Sequence, residues 1–167
     1  MKRRTSRSKT KPVELFVSYS HVNAAWFAKL RPLLKFRTPT NEAHAWHDQE
    51  LKAGDRWDKE IRDALAVMDV FVCLVSYEFL ASNYIMDIEL KQALKRAKKK
   101  EVEIVPILLY EVNLQKEYPE LHEFNPLPAW NKCWRDYEKD GGHYQDAHKP
   151  IRDGLRQAID KVRARRS

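Results

Sequence analysis

The sequence predicts an α/β protein: a flavodoxin-like, doubly wound parallel sheet of about five strands with helices on both faces. Three observations predict it. Short β-branched and aromatic runs alternate with amphipathic stretches along the chain, as "VELFVSYS", "AHAWH", "DVFVCLVS" and "EVEIVPILLY" illustrate. One of these runs, "DVFVCLVS", is apolar nearly throughout, which calls for cover on both faces, as in a parallel sheet between helix layers. The 167 residues also suffice for one domain with a core of its own, and no internal repeat suggests an array.

The first twelve residues, "MKRRTSRSKTKP", carry Lys2, Arg3, Arg4, Arg7, Lys9 and Lys11 with no acid, and so account for nearly all of the net charge of +7. Residues 1–12 are expected to form a disordered basic tail ahead of a domain spanning residues 13–164. The tail has no aromatic interleaving, so nucleic acid is not expected as a partner. Val13 to Ser20 reads as a buried first strand. A helix from about Val22 to Phe36 follows, with Trp26, Leu30, Leu33 and Leu34 on one side and a kink at Pro32. Ala43 to His47 is a short second strand, leading into the polar, glycine-bearing loop "DQELKAGDR". Trp57 to Val67 is helical, with Ile61, Leu65 and Met68 in register.

Asp69 to Ser76 is the third and strongest strand. Ser82 then N-caps a helix reaching Lys99, whose lysine-rich end suits the helix dipole. The fourth strand contains Pro106, which cannot donate to a ladder and so calls for a bulge or a locally free amide. Between Glu111 and Tyr144 the pattern weakens, and "NKCW" is the only plausible fifth strand. The chain closes on a helix whose stripe is Ile151, Leu155, Ala158, Ile159 and Val162, after an N1-type Pro150 and weakened by Gly154.

No apolar run approaches the roughly 20 residues that span a bilayer, and no apolar segment follows the basic N-terminus. A cytoplasmic protein without membrane contact is expected. Cys73 and Cys133 read as small core residues in a reducing compartment rather than as a disulfide.

In the strand order 2-1-3-4-5, ligands bind outside the carboxyl ends of the first and third strands. Tyr19, Ser20 and His21 leave the first strand there, His47 and Asp48 the second, and Ser76 the third. Ser82 and Glu89 are two α-helical turns apart and so share a face, with Ile85, Met86 and Ala93 around the glutamate. Asp87 has Lys91 four residues on as an ion-pair partner, whereas Glu89 has Ala93. A carboxylate among apolar neighbours costs stability unless something pairs with it, so Glu89 reads either as a catalytic group or as a snorkelling surface acid. The chain has no GxGxxG after its first strand and no GxxxxGK[ST], and therefore no cradle for a dinucleotide cofactor or a P-loop phosphate. His44 and His47 point to opposite faces of a strand, and no metal site is expected.

Five stretches carry a family resemblance. "LFVSYSH" resembles the first signature box of Toll/interleukin receptor (TIR) domains, and "WHDQELKAGDRW" the second box with its BB loop. "LVSYEFLASNYIMDIEL" is similar to the third strand and following helix of bacterial members, including the serine-to-glutamate spacing of their catalytic motif. "IVPILL" and "PIRDGLRQAI" fit the bacterial subgroup as well.

This resemblance implies one of two functions. Many TIR domains cleave the nicotinamide–ribose bond of NAD+, giving nicotinamide and ADP-ribose or a cyclic isomer, and bacterial members often serve in anti-phage defence. Others are non-catalytic adaptors acting through TIR–TIR contacts. On the catalytic reading NAD+ is the substrate, no cofactor is required, and activity depends on self-assembly and on a separate sensor or effector protein. Glu89 then aligns with the catalytic glutamate. Tyr19, Ser20 and His21 border the pocket, Trp57 covers the ribose or stacks on nicotinamide, and Ser82 orients the ribose or Glu89. Asp48 joins them, although an acid entering a loop also serves as a turn-former. Self-association or binding of another TIR protein would use the BB loop, Leu51, Lys52, Ala53, Gly54, Asp55 and Arg56. The chain departs from several active members at Ile85, where they carry an aromatic four residues before the glutamate. Tyr84 is adjacent but points about 100° away on an ideal α-helix.

Overall fold

Among the described residues, four parallel strands form the sheet: β1 (Val13–Ser18), β2 (Ala43–His47), β3 (Val70–Val75) and β4 (Glu103–Leu108), in the order β2-β1-β3-β4. The computed structural model describes residues 11–36, 43–47 and 57–167, and for Trp57 the backbone alone. The expected basic tail, up to residue 10, and the BB-loop segment 48–56 lie outside the described residues.

The helices are α1 (Ala24–Leu30), α2 (Trp57–Val67), α3 (Tyr77–Ala81), α4 (Lys91–Lys98), the single turns α5 (Leu114–Glu117) and α6 (Pro119–His122), and α7 (His148–Arg166). A π-helical turn, Ile85–Leu90, runs directly into α4. Tight 3₁₀ turns occupy Arg31–Leu34, Trp134–Gly141 and Tyr144–Ala147. The chain tightens around the expected kink: α1 ends at Leu30 and the turn bearing Pro32 continues as 3₁₀ helix.

Alternation along the strands builds two cores. Val13, Leu15 and Val17 of β1 face the layer of α1 and α7, joining Trp26, Phe27, Leu30, Ile151, Leu155 and Ile159. Phe16 and, from β3, Phe71, Cys73 and Val75 face the opposite layer with Ile61, Leu65, Leu90 and Ala93. All six residues of β3 are buried, as a central strand covered on both sides requires. The stripe expected on the last helix is buried at every position. That helix begins two residues earlier than expected, so Pro150 sits inside the first turn, where its missing N–H is still without an intrahelical role.

The fifth strand is the main correction. "NKCW" does not extend the sheet; Trp134 instead opens a 3₁₀ turn, and β4 meets a single bridge, Ile107 with Leu127. Leu127 donates to the Pro106 carbonyl and accepts from the Leu108 amide, both at 2.8 Å. The amides of Glu103 and Leu109 point the other way, to β3, so residue 106 faces the outer edge and its proline costs no bond between β3 and β4. No bulge is needed.

Arginines tie loose ends down. Arg96 of α4 donates from one guanidinium nitrogen to the carbonyls of Leu65 and Met68, both at 2.8 Å, and pairs through Nε with Glu101 at 3.2 Å. It thereby caps the carboxyl end of α2 from a neighbouring helix. Arg96→Ala is expected to lower stability by about 2–3 kcal/mol in urea titrations, because two part-buried carbonyls lose charged donors. Arg96→Lys should recover only part of this, since one ammonium lacks the planar fork. Arg166 donates to the carbonyls of Lys11 and Pro12 and pairs with Asp69, anchoring the chain where β1 begins.

Both cysteines are free and buried, Cys73 at 0% and Cys133 at 4% exposure. Burial pushes both thiols above their ordinary range, Cys73 far above it. Alkylation by iodoacetamide at pH 8 should therefore be slow in the native protein and fast in urea, as read by intact mass.

Candidate functional site

The site begins with what β1 delivers at its carboxyl end. Ser18 follows Phe16 by two residues and so faces the α2/α4 layer, where an apolar side chain would be the default. Its hydroxyl, 1% exposed, donates to Glu89 Oε2 at 2.9 Å. Glu89 is itself only 4% exposed, on the π turn between buried Ile85, Leu90 and Ala93. The carboxylate is held out of water and paired, as its desolvation demands.

Across the rim, Ser76 closes β3. It caps α3 by accepting from the Phe79 amide at 3.0 Å and donates to Asn23 Oδ1 at 2.6 Å. Ser18, Asn23, His47, Ser76 and Glu89 are the buried polar side chains among the described residues. Every one lies at or just beyond the carboxyl ends of β1, β2 and β3, or on the helix that packs there. No other polar or charged residue among those described is buried as a whole, and this concentration on one rim marks the crevice where open α/β sheets bind ligands.

The expected site residues divide. Glu89 is at the rim as anticipated. Tyr19 points away from it: its ring is 2% exposed and stacks on Phe27 at 4.6 Å in the opposite core. Ser20 holds the turn after β1 through its carbonyl, which accepts from the Asn23 amide at 2.8 Å, and His21 is exposed beside it. Ser82 caps its helix as expected, accepting from the Ile85 amide at 3.3 Å. Trp57 opens α2, while Asp48 and the loop residues Leu51 to Arg56 lie outside the described residues.

The serine that touches Glu89 is Ser18, which sequence reasoning passed over because it lies inside the strand rather than after it. Strand alternation carried the signal: Ser18 shares the face of Phe16, and Tyr19 does not.

The π turn explains the other differences. Asp87 and Lys91 do not pair within 4.0 Å, because a turn closing i to i+5 takes residues four apart off a common line. They flank a groove with Arg62 instead. Ile85 is a core residue at 6% exposure. Tyr84, five residues before Glu89, donates its hydroxyl to Asp58 Oδ1 at 2.7 Å. Asp58 also accepts from Arg62 Nε at 2.8 Å. Burial, the Asp58 hydrogen bond and charge, and then the Glu89 charge hold the Tyr84 phenol above its ordinary range, while Tyr84 and Arg62 hold the Asp58 carboxyl below its own. A direct clasp thus joins the helix carrying Glu89 to the first turn of α2.

Among the described residues, no cluster of three or more His, Cys, Asp or Glu could hold a metal ion. No described helix is long and apolar enough to cross a membrane.

An uncharacterized protein of Sinorhizobium fredii, y4lF, is 33% identical over 95 residues, which cover 57% of this chain and 29% of y4lF. The chain therefore spans under a third of that curated relative. Among solved structures, the TIR domains of the activated Roq1 resistosome recognizing the pathogen effector XopQ are similar at 18% identity and a TM-score of 0.46. That similarity covers 89% of this chain and 84% of theirs. The family model described as TIR domain matches residues 15–149, well over half of the chain, and the protein belongs to the TIR domain family.

Proposed function

We propose that this TIR domain is an NAD+ glycohydrolase or cyclase. It would cleave the bond between ribose C1′ and the nicotinamide nitrogen to give nicotinamide and ADP-ribose or a cyclic isomer. The observation that carries the reading is the buried Glu89 carboxylate, hydrogen-bonded by Ser18 at the strand rim where this fold binds ligands. The electron pair of the broken bond leaves with nicotinamide, which departs neutral and needs no acid. The developing charge is an oxocarbenium-like cation at C1′, which an adjacent carboxylate stabilises. Water adds its oxygen to C1′ and releases a proton, or a nucleophile within the ADP-ribosyl group closes a ring. Residues 48–56 and the Trp57 side chain would supply the remaining walls, with Asp48 beside the ribose.

At 4% exposure Glu89 cannot meet a substrate until the rim opens. Self-association through Leu51 to Arg56, or another TIR protein bound there, would provide that opening, and the resemblance to bacterial TIR domains supports a role in defence signalling. The same burial favours a second reading, a non-catalytic TIR adaptor in which Glu89 only anchors β1 to its helix.

Incubating the purified protein with NAD+, at high concentration and with crowding agent, separates the two. Release of nicotinamide supports the enzyme, and separation of the products by mass and retention identifies the isomer. No nicotinamide under any of these conditions, combined with partner binding lost on changing Leu51 to Arg56, would establish the adaptor.

A further inference from the structure

The segment between β4 and α7 builds a cleft that shares no residue with the Glu89 rim. It has a volume of about 450 Å³, within the usual range for small-molecule sites of roughly 300–1,000 Å³. Its floor is apolar, formed by Leu108 at the carboxyl end of β4 with Val112, Leu114 and Cys133, all buried. One wall is aromatic. Trp130 is 54% exposed, one of the few large apolar side chains on the surface among the described residues, and stands edge-on to His122 with ring centroids 4.5 Å apart. The indole is therefore held in place by a neighbour while one broad face stays wet, an arrangement that burial in this chain does not explain.

The rim carries polar groups without internal partners. Asn131 and Gln115 have side-chain amides free of hydrogen bonds, and both line the cleft. Two cations line it as well, and they differ. Lys139 is neutralised by Asp136 at 2.6 Å, whereas Lys132 has no carboxylate within 4.0 Å and rests its ammonium 3.9 Å from the Tyr137 ring centroid. Glu111, also on the rim, repels an anion near itself and leaves Lys132 as the place for negative charge.

We propose that this cleft is a second ligand site, taking a planar heteroaromatic with an anionic arm, of the class of a purine nucleoside phosphate. The ring stacks on Trp130 over the apolar floor, the amides of Asn131 and Gln115 meet its edge, and the phosphate reaches Lys132. The inference stands whether or not Glu89 cleaves NAD+.

Titrating the full chain with adenosine 5′-monophosphate, followed by amide and indole NMR, tests it. The Trp130 indole, identified by its loss in Trp130→Phe, should shift together with the amides of Asn131 and Lys132. Trp130→Ala and Lys132→Glu should each weaken binding by at least about tenfold, and adenosine without its phosphate should bind as poorly as the Lys132 variant. Glu89→Gln should leave the affinity unchanged. Because both altered side chains are exposed, unchanged thermal midpoints confirm that the variants fold. Shifts confined to residues around Ser18 and Glu89, or no shift at millimolar AMP, would overturn the proposal.

Discussion

Glu89→Gln is expected to lower kcat/KM for NAD+ cleavage by about 10²–10³ or more while leaving the fold in place. The two side chains have nearly the same shape, and the amide oxygen of glutamine can still accept from Ser18, so the contact at 2.9 Å between β1 and the π turn survives. What disappears is the negative charge. In a site shielded from water, a full charge beside the ribose is worth far more than at the surface, and it acts on the cation that exists only as the bond to nicotinamide breaks. The loss should therefore fall on kcat rather than KM. Ser18→Ala keeps the charge and removes the hydroxyl that fixes it, so a smaller effect is expected. A hydrogen bond to a charged group contributes about 1.5–3 kcal/mol, a rate loss of roughly ten- to a hundredfold if it were spent wholly on position. Nicotinamide release by Glu89→Gln at the wild-type rate would remove Glu89 from the chemistry, even with the enzyme reading otherwise intact.

The order and direction of the strands were legible because each run has the period and composition of a covered parallel strand, and β3 most of all. Ile61, Leu65 and Met68 fell into place because an uninterrupted α-helix repeats every 3.6 residues. The same arithmetic failed between Ile85 and Leu90. A π turn leaves no mark in the local pattern of apolar residues, since it arises from how the helix must settle on the sheet. It left Ile85 in the core and Asp87 without an ion pair to Lys91. Glu89 was legible as an acid among apolar neighbours, and its partner was not, because Ser18 touches it across 71 residues of sequence. The loop between Asp48 and Arg56, proposed to supply the rest of the site, lies outside the described residues, and its glycine and charges give a motif without a geometry.

Trp134→Ala should produce the largest loss of stability, about 3–5 kcal/mol in urea unfolding, a large share of the 5–15 kcal/mol typical of a domain. Trp134 is fully buried. Its ring packs 5.2 Å from that of Trp26, and its indole N–H donates to the Tyr144 carbonyl at 3.0 Å. Two costs therefore add, a cavity and an unpaired carbonyl. Trp134→Phe fills most of the space and loses only the donor, so it should cost clearly less. The position of this residue gives the prediction a second reading. Where a fifth strand would have covered β4, a single bridge at Leu127 and the turn opened by Trp134 do so, with the Arg135 amide donating to the Leu109 carbonyl at 3.2 Å. If the tryptophan substitutes for a strand, Trp134→Ala should speed hydrogen exchange at Leu108 and Arg135 well before global unfolding, while β3 amides stay protected. Uniform acceleration across the sheet would mean that Trp134 supports the core as a whole and that the edge of β4 is secured by Leu127 alone.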